Sequence, residues 1–513
     1  LTTNNYFGIA STTASDTEAV RVNRAGSFNN NQTGLTAGKD YYAKSDGTII
    51  ERVTTTTTPD TNPTISTITT QSGSGYSYHS NSIAYESTLG YYVRGRRHST
   101  NNYPCVESGT WGSLSTGITW NAPTILSSNL MRGDRVKVAT GGGYAHCSYC
   151  TRESSNENAK VTPVAISGSG GLTLGNTTTV NTLATSGSNT QPDSIVYDTS
   201  QNTILAFFDL GWQSGYLHKV FPLQMSGANY SYSSSDAVTF ASGIDMSAKS
   251  TNAIYDPDTN RTVFFYILDA GTRTVNGIVF SCSGTTITQG ATQTASFTGT
   301  PNSNGYLVVT YDTQNNKIII MYDVNLGAPS YTSYLPKYSI VTVTGGGTNT
   351  LSYTADAYAF SDTTQRTQVV SLAWNGDANK LFMVYGAYGD SHTQCDTFTS
   401  NGSTLTSTSS EELTTDTMVD SGSNETNASV FVTGKGVSYS LGGADSSPSI
   451  LNFTLSLGST TSTTINASQF VGTARSGTDL ELAEPPTELV GLANGSITKG
   501  KPVILRTDGD FEQ

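Results

Sequence analysis

Along the middle of the chain the apolar positions fall in short runs, each closed by a cluster of polar turn residues. Runs of that length and spacing predict strands rather than helices. Three stretches nearly superimpose. Ser194–Asp209 reads SIVYDTSQNTILAFFD, Asn252–Asp269 reads NAIYDPDTNRTVFFYILD and Val308–Asp323 reads VVTYDTQNNKIIIMYD, while Ser371–Tyr385 (SLAWNGDANKLFMVY) is a fourth copy. In each, an apolar strand ends in an aromatic residue, an Asp- and Asn-rich turn follows, and a second apolar strand returns. This predicts a β-hairpin, because Asp and Asn bond their own main chain in turns and Asn tolerates left-handed backbone.

Weaker copies extend the series at Ser82–Val93, at Val136–Cys150 around a Gly-Gly-Gly turn, and at Ser429–Leu441. With Tyr85, Ala139, Tyr197, Tyr255, Tyr311, Trp374 and Val432 as anchors, the intervals are 54, 58, 58, 56, 63 and 58 residues. Such a period holds four strands with their turns. One four-stranded sheet cannot bury both of its faces, whereas seven arranged radially bury one another and leave short edges. The expected fold is all-β: a seven-bladed β-propeller over 71–460, flanked by small β modules at 1–53 and 461–513. The Thr-rich stretch 54–70 is expected to be a linker, with an extended strand as its alternative, and a sandwich array or a solenoid is the alternative arrangement of the repeats.

Composition agrees with strands and turns. The 513 residues include 81 Thr and 65 Ser, together 28%, with 51 Gly, 36 Asn and 28 Tyr. Thr and Tyr favour strands, and Gly, Asn and Ser favour turns, so a mainly helical protein is excluded. Charged residues make up only 13% and the net charge is −13. A polybasic nucleic-acid binder is thereby excluded, since phosphate backbones reward clustered Lys and Arg. A hydrophobic share of 35% is enough to build a core and argues against disorder. Neither an apolar run long enough to span a bilayer nor a leader-like opening is seen, and the first residue is Leu1. Five scattered cysteines (Cys105, Cys147, Cys150, Cys282 and Cys395) do not make a disulfide framework.

The two ends are alike. Phe7–Ala10 (FGIA) is followed by GLTAGKDYYAKSDGTI at 34–49, and Phe470–Ala474 (FVGTA) by GSITKGK at 495–501 and Thr507-Asp508-Gly509. The first of these resembles a module of tailed-bacteriophage structural proteins, with a FIGIA-like strand and a GLT-x-G-x-x-YY-like hairpin. The central hairpins are similar to the V-x-YD-x-x-T-x-K-x-VVVYRD propeller repeats that accompany that module in phage tail-fibre and adhesin-like proteins. The resemblance covers most of the chain through short, turn-dominated motifs. It departs from the family where the Arg–Asp after the second strand is reduced to Asp209, Asp269 and Asp323. The resemblance implies a non-enzymatic virion protein, a tail fibre or head or appendage fibre on the particle surface. Its partners would be other virion proteins, host-surface glycan or an outer-membrane receptor, and further copies of the chain, with no nucleic acid and no cofactor. A glycan-cleaving propeller and a cellular adhesion propeller are the alternatives.

Candidate ligand-binding residues follow from the repeat. Asp209, Asp269 and Asp323 close equivalent strands and are expected on one ring, where carboxylates bind cations or sugars, although capping of strand ends is the plainer role. Trp212 and Tyr216 follow Asp209, Arg273 follows Asp269, and Tyr388, Asp390 and His392 lie in a corresponding loop. Aromatic faces with acids on loops suit sugar binding, since loops on a rigid scaffold commonly carry function. No catalytic set is expected. Arg94, Arg96 and Arg97 cluster, but in a single repeat, and the S-x-D-x-G-x-T-W turn of sialidase-like enzymes is represented only by the incomplete Glu107–Trp111. No metal site is expected either. His146, Cys147 and Cys150 lack the second ligand pair that tetrahedral zinc needs, and Arg132-Gly133-Asp134 reads as part of a connection.

Overall fold

In the computed structural model, six of the seven repeat copies open a sheet of their own and the Ser429 copy opens the last. The structure describes residues 82–98, 101–113, 115–183, 190–211, 217–243, 246–268, 273–296, 300–301, 307–325, 334–345, 349–359, 367–387 and 392–414. It also describes the strands at 6–10, 19–23, 28–29, 40–43, 49–51, 53–65, 69–72, 429–442, 449–465, 470–474, 480–482, 488–492, 502–505 and 511–512, with a few isolated residues between.

Blade 1 runs through Ser82–Glu86, Tyr91–Arg97, Pro104–Ser113 and Gly117–Trp120. Blade 2 is Leu130–Gly141, Tyr144–Glu153, Asn156–Ile166 and Leu172–Leu174, and blade 3 is Gln191–Asp198, Thr203–Asp209, His218–Ser226 and Asn229–Ser231. Blade 4 is Met246–Asp256, Arg261–Leu268, Thr274–Ser283 and Thr286–Gln289. Blade 5 is Leu307–Asp312, Lys317–Asn325, Tyr334–Thr344 and Thr350–Tyr353, and blade 6 is Thr367–Asn375, Lys380–Ala387, His392–Ser400 and Leu405–Thr414. The first strand of each blade touches the first strand of the next, and Ser429–Val432 of blade 7 returns to Ser82–Glu86. The fold is therefore a seven-bladed β-propeller.

The hairpins form for local reasons. Asp198 Oδ1 accepts from the Ser200 and Gln201 amides, Asp312 Oδ1 from Gln314 and Asn315, and Asn375 Oδ1 from Asp377 and Ala378. Four residues after each acid or amide comes an Asn in left-handed backbone, with φ 52° at Asn202, 54° at Asn260, 54° at Asn316 and 50° at Asn379. Asn pays less for that conformation than other side chains do. The preceding Tyr hydroxyl secures it: Tyr197 donates to Asn202 Oδ1 at 2.8 Å and Tyr255 to Asn260 Oδ1 at 2.9 Å.

The apolar core lies between blades. One cluster joins Val93 and Val106 of blade 1 to Val136 and Tyr149 of blade 2. Another joins Phe207 of blade 3 to Phe264 of blade 4, whose rings stack at 4.9 Å. Hydroxyls bridge the same seams along the inner strands. Ser82 Oγ accepts from the Val138 amide, Ser194 Oγ from Ala253, and Thr310 Oγ1 from Trp374, while the Ser371 and Ser429 hydroxyls bond at 2.9 Å. Blades 7 and 1 meet through Lys435, whose Nζ donates to the Tyr85 hydroxyl at 3.0 Å and lies over its ring.

Two features differ from the sequence expectation. The Thr-rich stretch 54–70 is largely strand rather than linker. Val53–Ile65 lies beside Ser449–Ile465 as the outermost strand of blade 7, and Thr69–Ser72 pairs antiparallel with Ser449–Asn452. The Thr residues on either side of Pro59-Asp60-Thr61-Asn62-Pro63 have high strand propensity, and an outermost strand tolerates the two prolines, which cannot donate to a ladder on both sides. The terminal modules are also not separate. Tyr6–Ala10 pairs with both Ala19–Asn23 and Pro502–Leu505, and Phe470–Ala474 pairs with both Asp40–Ala43 and Leu480–Leu482. Residues 1–60 and 459–513 make one compact unit, with Ala10, Val22, Tyr41 and Val503 buried in it, and 61–458 make the other.

Candidate functional site

Buried charge converges around Asp209, the last residue of Thr203–Asp209. In the register of blade 3, Asp209 stands opposite Gln191 on one side and His218 on the other. Its Oδ1 accepts from the Gly211 amide at 2.7 Å, and the Gln191 side-chain amide lies 3.5 Å from Oδ2. Beside it, His218 Nδ1 meets Asp193 Oδ2 at 3.2 Å with both side chains essentially inaccessible. Asp193 reaches that position through a break in register between Pro192 and Ser194, the kind of bulge that re-aims a side chain.

Blade 2 completes the seam. Glu157 is buried, accepts from the Thr190 amide at 3.1 Å and pairs with Arg132 Nε at 3.2 Å. The Cys150 thiol is pushed well up, by burial first and then by the negative field of Glu157, Asp209 and Asp193. Asp209 is held at about 6, because burial and then the Asp193 carboxylate disfavour its charge more than His218 and the Gly211 amide favour it. Strong perturbation of this kind is a mark of functional sites, though structural networks also produce it.

Blade 1 carries a second buried network. Glu107 receives Arg94 and Arg96, with Arg96 Nη2 at 2.5 Å, and Arg94 lies over the Trp120 ring at 4.2 Å. Burial alone would raise the Glu107 carboxyl, but the two guanidinium groups overcome it and hold it below the usual carboxylate range. In blade 5, Lys337 Nζ pairs with Asp356 at 2.6 Å beneath the Tyr358 ring. In blade 6, the Tyr385 hydroxyl bonds Gln394 and Asp396, and burial raises the Asp396 carboxyl.

The sequence-predicted residues are distributed as follows. Asp209 and Asp323 occupy matching positions, each eleven residues beyond its turn acid, but in blades 3 and 5. Asp323 is fully buried opposite Pro336 within its sheet. Arg273 is half-buried just ahead of Thr274–Ser283, and His392 opens its strand opposite Ala387. Trp212, Tyr216, Asp269, Tyr388 and Asp390 lie outside the described residues. Asp193, His218 and Glu157 were not singled out from sequence. Their signal was weak but present, since in a chain with 13% charged residues any acid or His inside a predicted strand is unusual.

The zinc-like segment resolves into alternating strand faces. Cys147 and Tyr149 face blade 1, while Cys150 and His146 face blade 3. His146 donates from Nε2 to the Gly141 carbonyl and accepts from the Tyr230 hydroxyl at Nδ1. Among the described residues, no group of three His, Cys, Asp or Glu side chains is placed to hold a metal ion.

Fold and site together define a seven-bladed propeller with buried ionic seams. No family model matches the chain, and no curated protein matches it. Among solved structures it is similar to a protein from Lactobacillus plantarum, with TM-score 0.43 and 11% identity over 62% of this chain and 81% of that one. It is similar also to a mutant NanB sialidase from Streptococcus pneumoniae, with TM-score 0.39 and 8% identity over 75% and 70%. An endo-arabinase from Bacteroides thetaiotaomicron gives TM-score 0.32 and 11% identity over 53% and 95%.

Proposed function

We propose that this chain is a non-enzymatic structural protein of a virion, a tail fibre or head or appendage fibre, whose propeller attaches to host-surface glycan or decorates the particle. The observation that carries the reading is the FGIA and GLTAGKDYYAKSDGTI pair at one end of a propeller, the combination that marks the phage structural proteins it resembles. The way the buried acids are used is consistent with a scaffold. Asp209 holds the Gly211 amide, Asp193 holds His218, Glu107 holds two arginines and Asp356 holds Lys337. Display in many copies makes weak single contacts sufficient for attachment.

The test is quantitative peptide mass spectrometry of gradient-purified particles from the source of the chain. Constant stoichiometry with the other particle proteins is expected, and loss of the chain during purification would sink the reading. A glycan-cleaving propeller is the second reading. It is favoured by the Asp209 carboxyl, held at about 6 beside a second acid, as a general acid requires. Release of reducing ends from surface polysaccharide, abolished in Asp209→Asn, would move the assignment to that reading.

A further inference from the structure

Lys337 is enclosed on one face of blade 5. It stands opposite Tyr322 on one side and Tyr358 on the other, so the three side chains share that face. Leu335, Tyr322 and Val324, on the same face, belong to one apolar cluster with Ile267 and Val275 of blade 4. Tyr353 stands opposite Val341 and Ala357 opposite Tyr338, so the outer segment gains one residue on its partner. Such a bulge re-aims a side chain, and here it turns Asp356 onto Lys337. Lys337 Nζ lies 2.6 Å from Asp356 Oδ2, with side-chain exposures of 3% and 5%. The Tyr322 hydroxyl bonds the same carboxyl group. We propose that this is a self-modification site, at which Lys337 Nζ and Asp356 Cγ condense into an intramolecular amide that clasps the outer edge of blade 5 to its third strand.

The step needs no co-reactant. In a seam that solvates neither charge, one proton moving along the contact converts the ion pair into a neutral amine and a carboxylic acid. The Nζ lone pair then forms the C–N bond at Cγ. The electron pair of one C–O bond leaves with the hydroxyl, which takes a second proton from nitrogen and departs as water. Of the three ammonium hydrogens, one stays on the amide nitrogen and two leave in the water, with no net charge before or after. Burial and then Asp356 raise the Tyr322 hydroxyl, so it stays protonated and donates to the oxygen on which charge develops. The fixed contact supplies the effective concentration that condensation in open water lacks. Lys160 and Glu153 make the contrasting pair, because that carboxylate is 36% exposed and stays hydrated.

Tryptic peptide mass spectrometry of the denatured, reduced full chain tests this. Cleavage after Lys337 is expected to fail, giving one peptide over 318–366 that lacks one water and yields no backbone fragments between 337 and 356. Cleavage after Lys160 is expected to proceed. Lys337→Arg is expected to restore both cleavage at 337 and the full mass. Cleavage after Lys337 in the parent chain, with no water lost, overturns the proposal. A water loss that persists in Lys337→Arg belongs to an Asp356 imide and overturns it equally. If Lys337→Arg does not fold, the parent decides alone, since an imide leaves the backbone between 337 and 356 open to fragmentation and a Lys337 amide does not.

Discussion

Individual residues show how a charge-poor chain places its few ionisable groups. His146 is buried with both ring nitrogens committed, and burial lowers it to about 4. Protonation would cost it the Tyr230 hydrogen bond in a medium that does not solvate charge. The unfolded chain takes up the proton near 6.5 and the folded chain only near 4. Stability is therefore retained above about 6.5 and falls as pH drops through that window, by about 3 kcal/mol once below it. Replacing His146 with Gln should flatten that part of the pH profile when urea midpoints are compared between pH 7 and pH 4. An equal slope in both chains would refute the assignment. At this scale the sequence was partly legible. The turn acids Asp198 and Asp312 stand where their spacing put them, whereas Asp193 needed the bulge beside it to reach His218 in the seam that Asp209 shares.

The element that repeats is the Asp-to-Asn hairpin, and its cost of disruption is predictable. Asn260 combines left-handed backbone with a bond from the Tyr255 hydroxyl. Asn260→Ala should cost about 1–2 kcal/mol in denaturant unfolding, because it incurs both the backbone strain and the lost bond. Asn260→Gly should cost less, since the strain is relieved and only the bond is lost. An Ala variant as stable as Gly would show that the conformation is not what selects Asn. These hairpins were legible because their reasons are local. The pairing of Val53–Ile65 with the last blade was not, because nothing within the Thr run names its partner. Its strand propensity was readable and its destination was not.

For the whole molecule, closure decides stability. A propeller without a complete last blade leaves a sheet edge open, and open edges recruit other chains. Here the last blade is completed by strands from the opposite end of the sequence, and the ring is joined by Lys435 on Tyr85. A chain beginning at residue 73 should therefore lose cooperative thermal unfolding and associate on light scattering. Recovery of a monomer with an unchanged thermal midpoint would show that Val53–Ile65 and Thr69–Ser72 are dispensable. The same long-range pairing links the chain ends in one β unit, where Tyr6–Ala10 sits between Ala19–Asn23 and Pro502–Leu505.

By itself the sequence determined the strand content, the hairpin turns and the number of repeats, because each follows from residues within a few positions of one another. Tertiary structure decided which distant segments complete the last blade and that the two ends share their sheets. It also brought Asp193, Asp209, His218 and Glu157 into one buried seam. Those outcomes depend on edges and faces left unsatisfied after the local structure has formed, and such demands are met through space rather than along the chain.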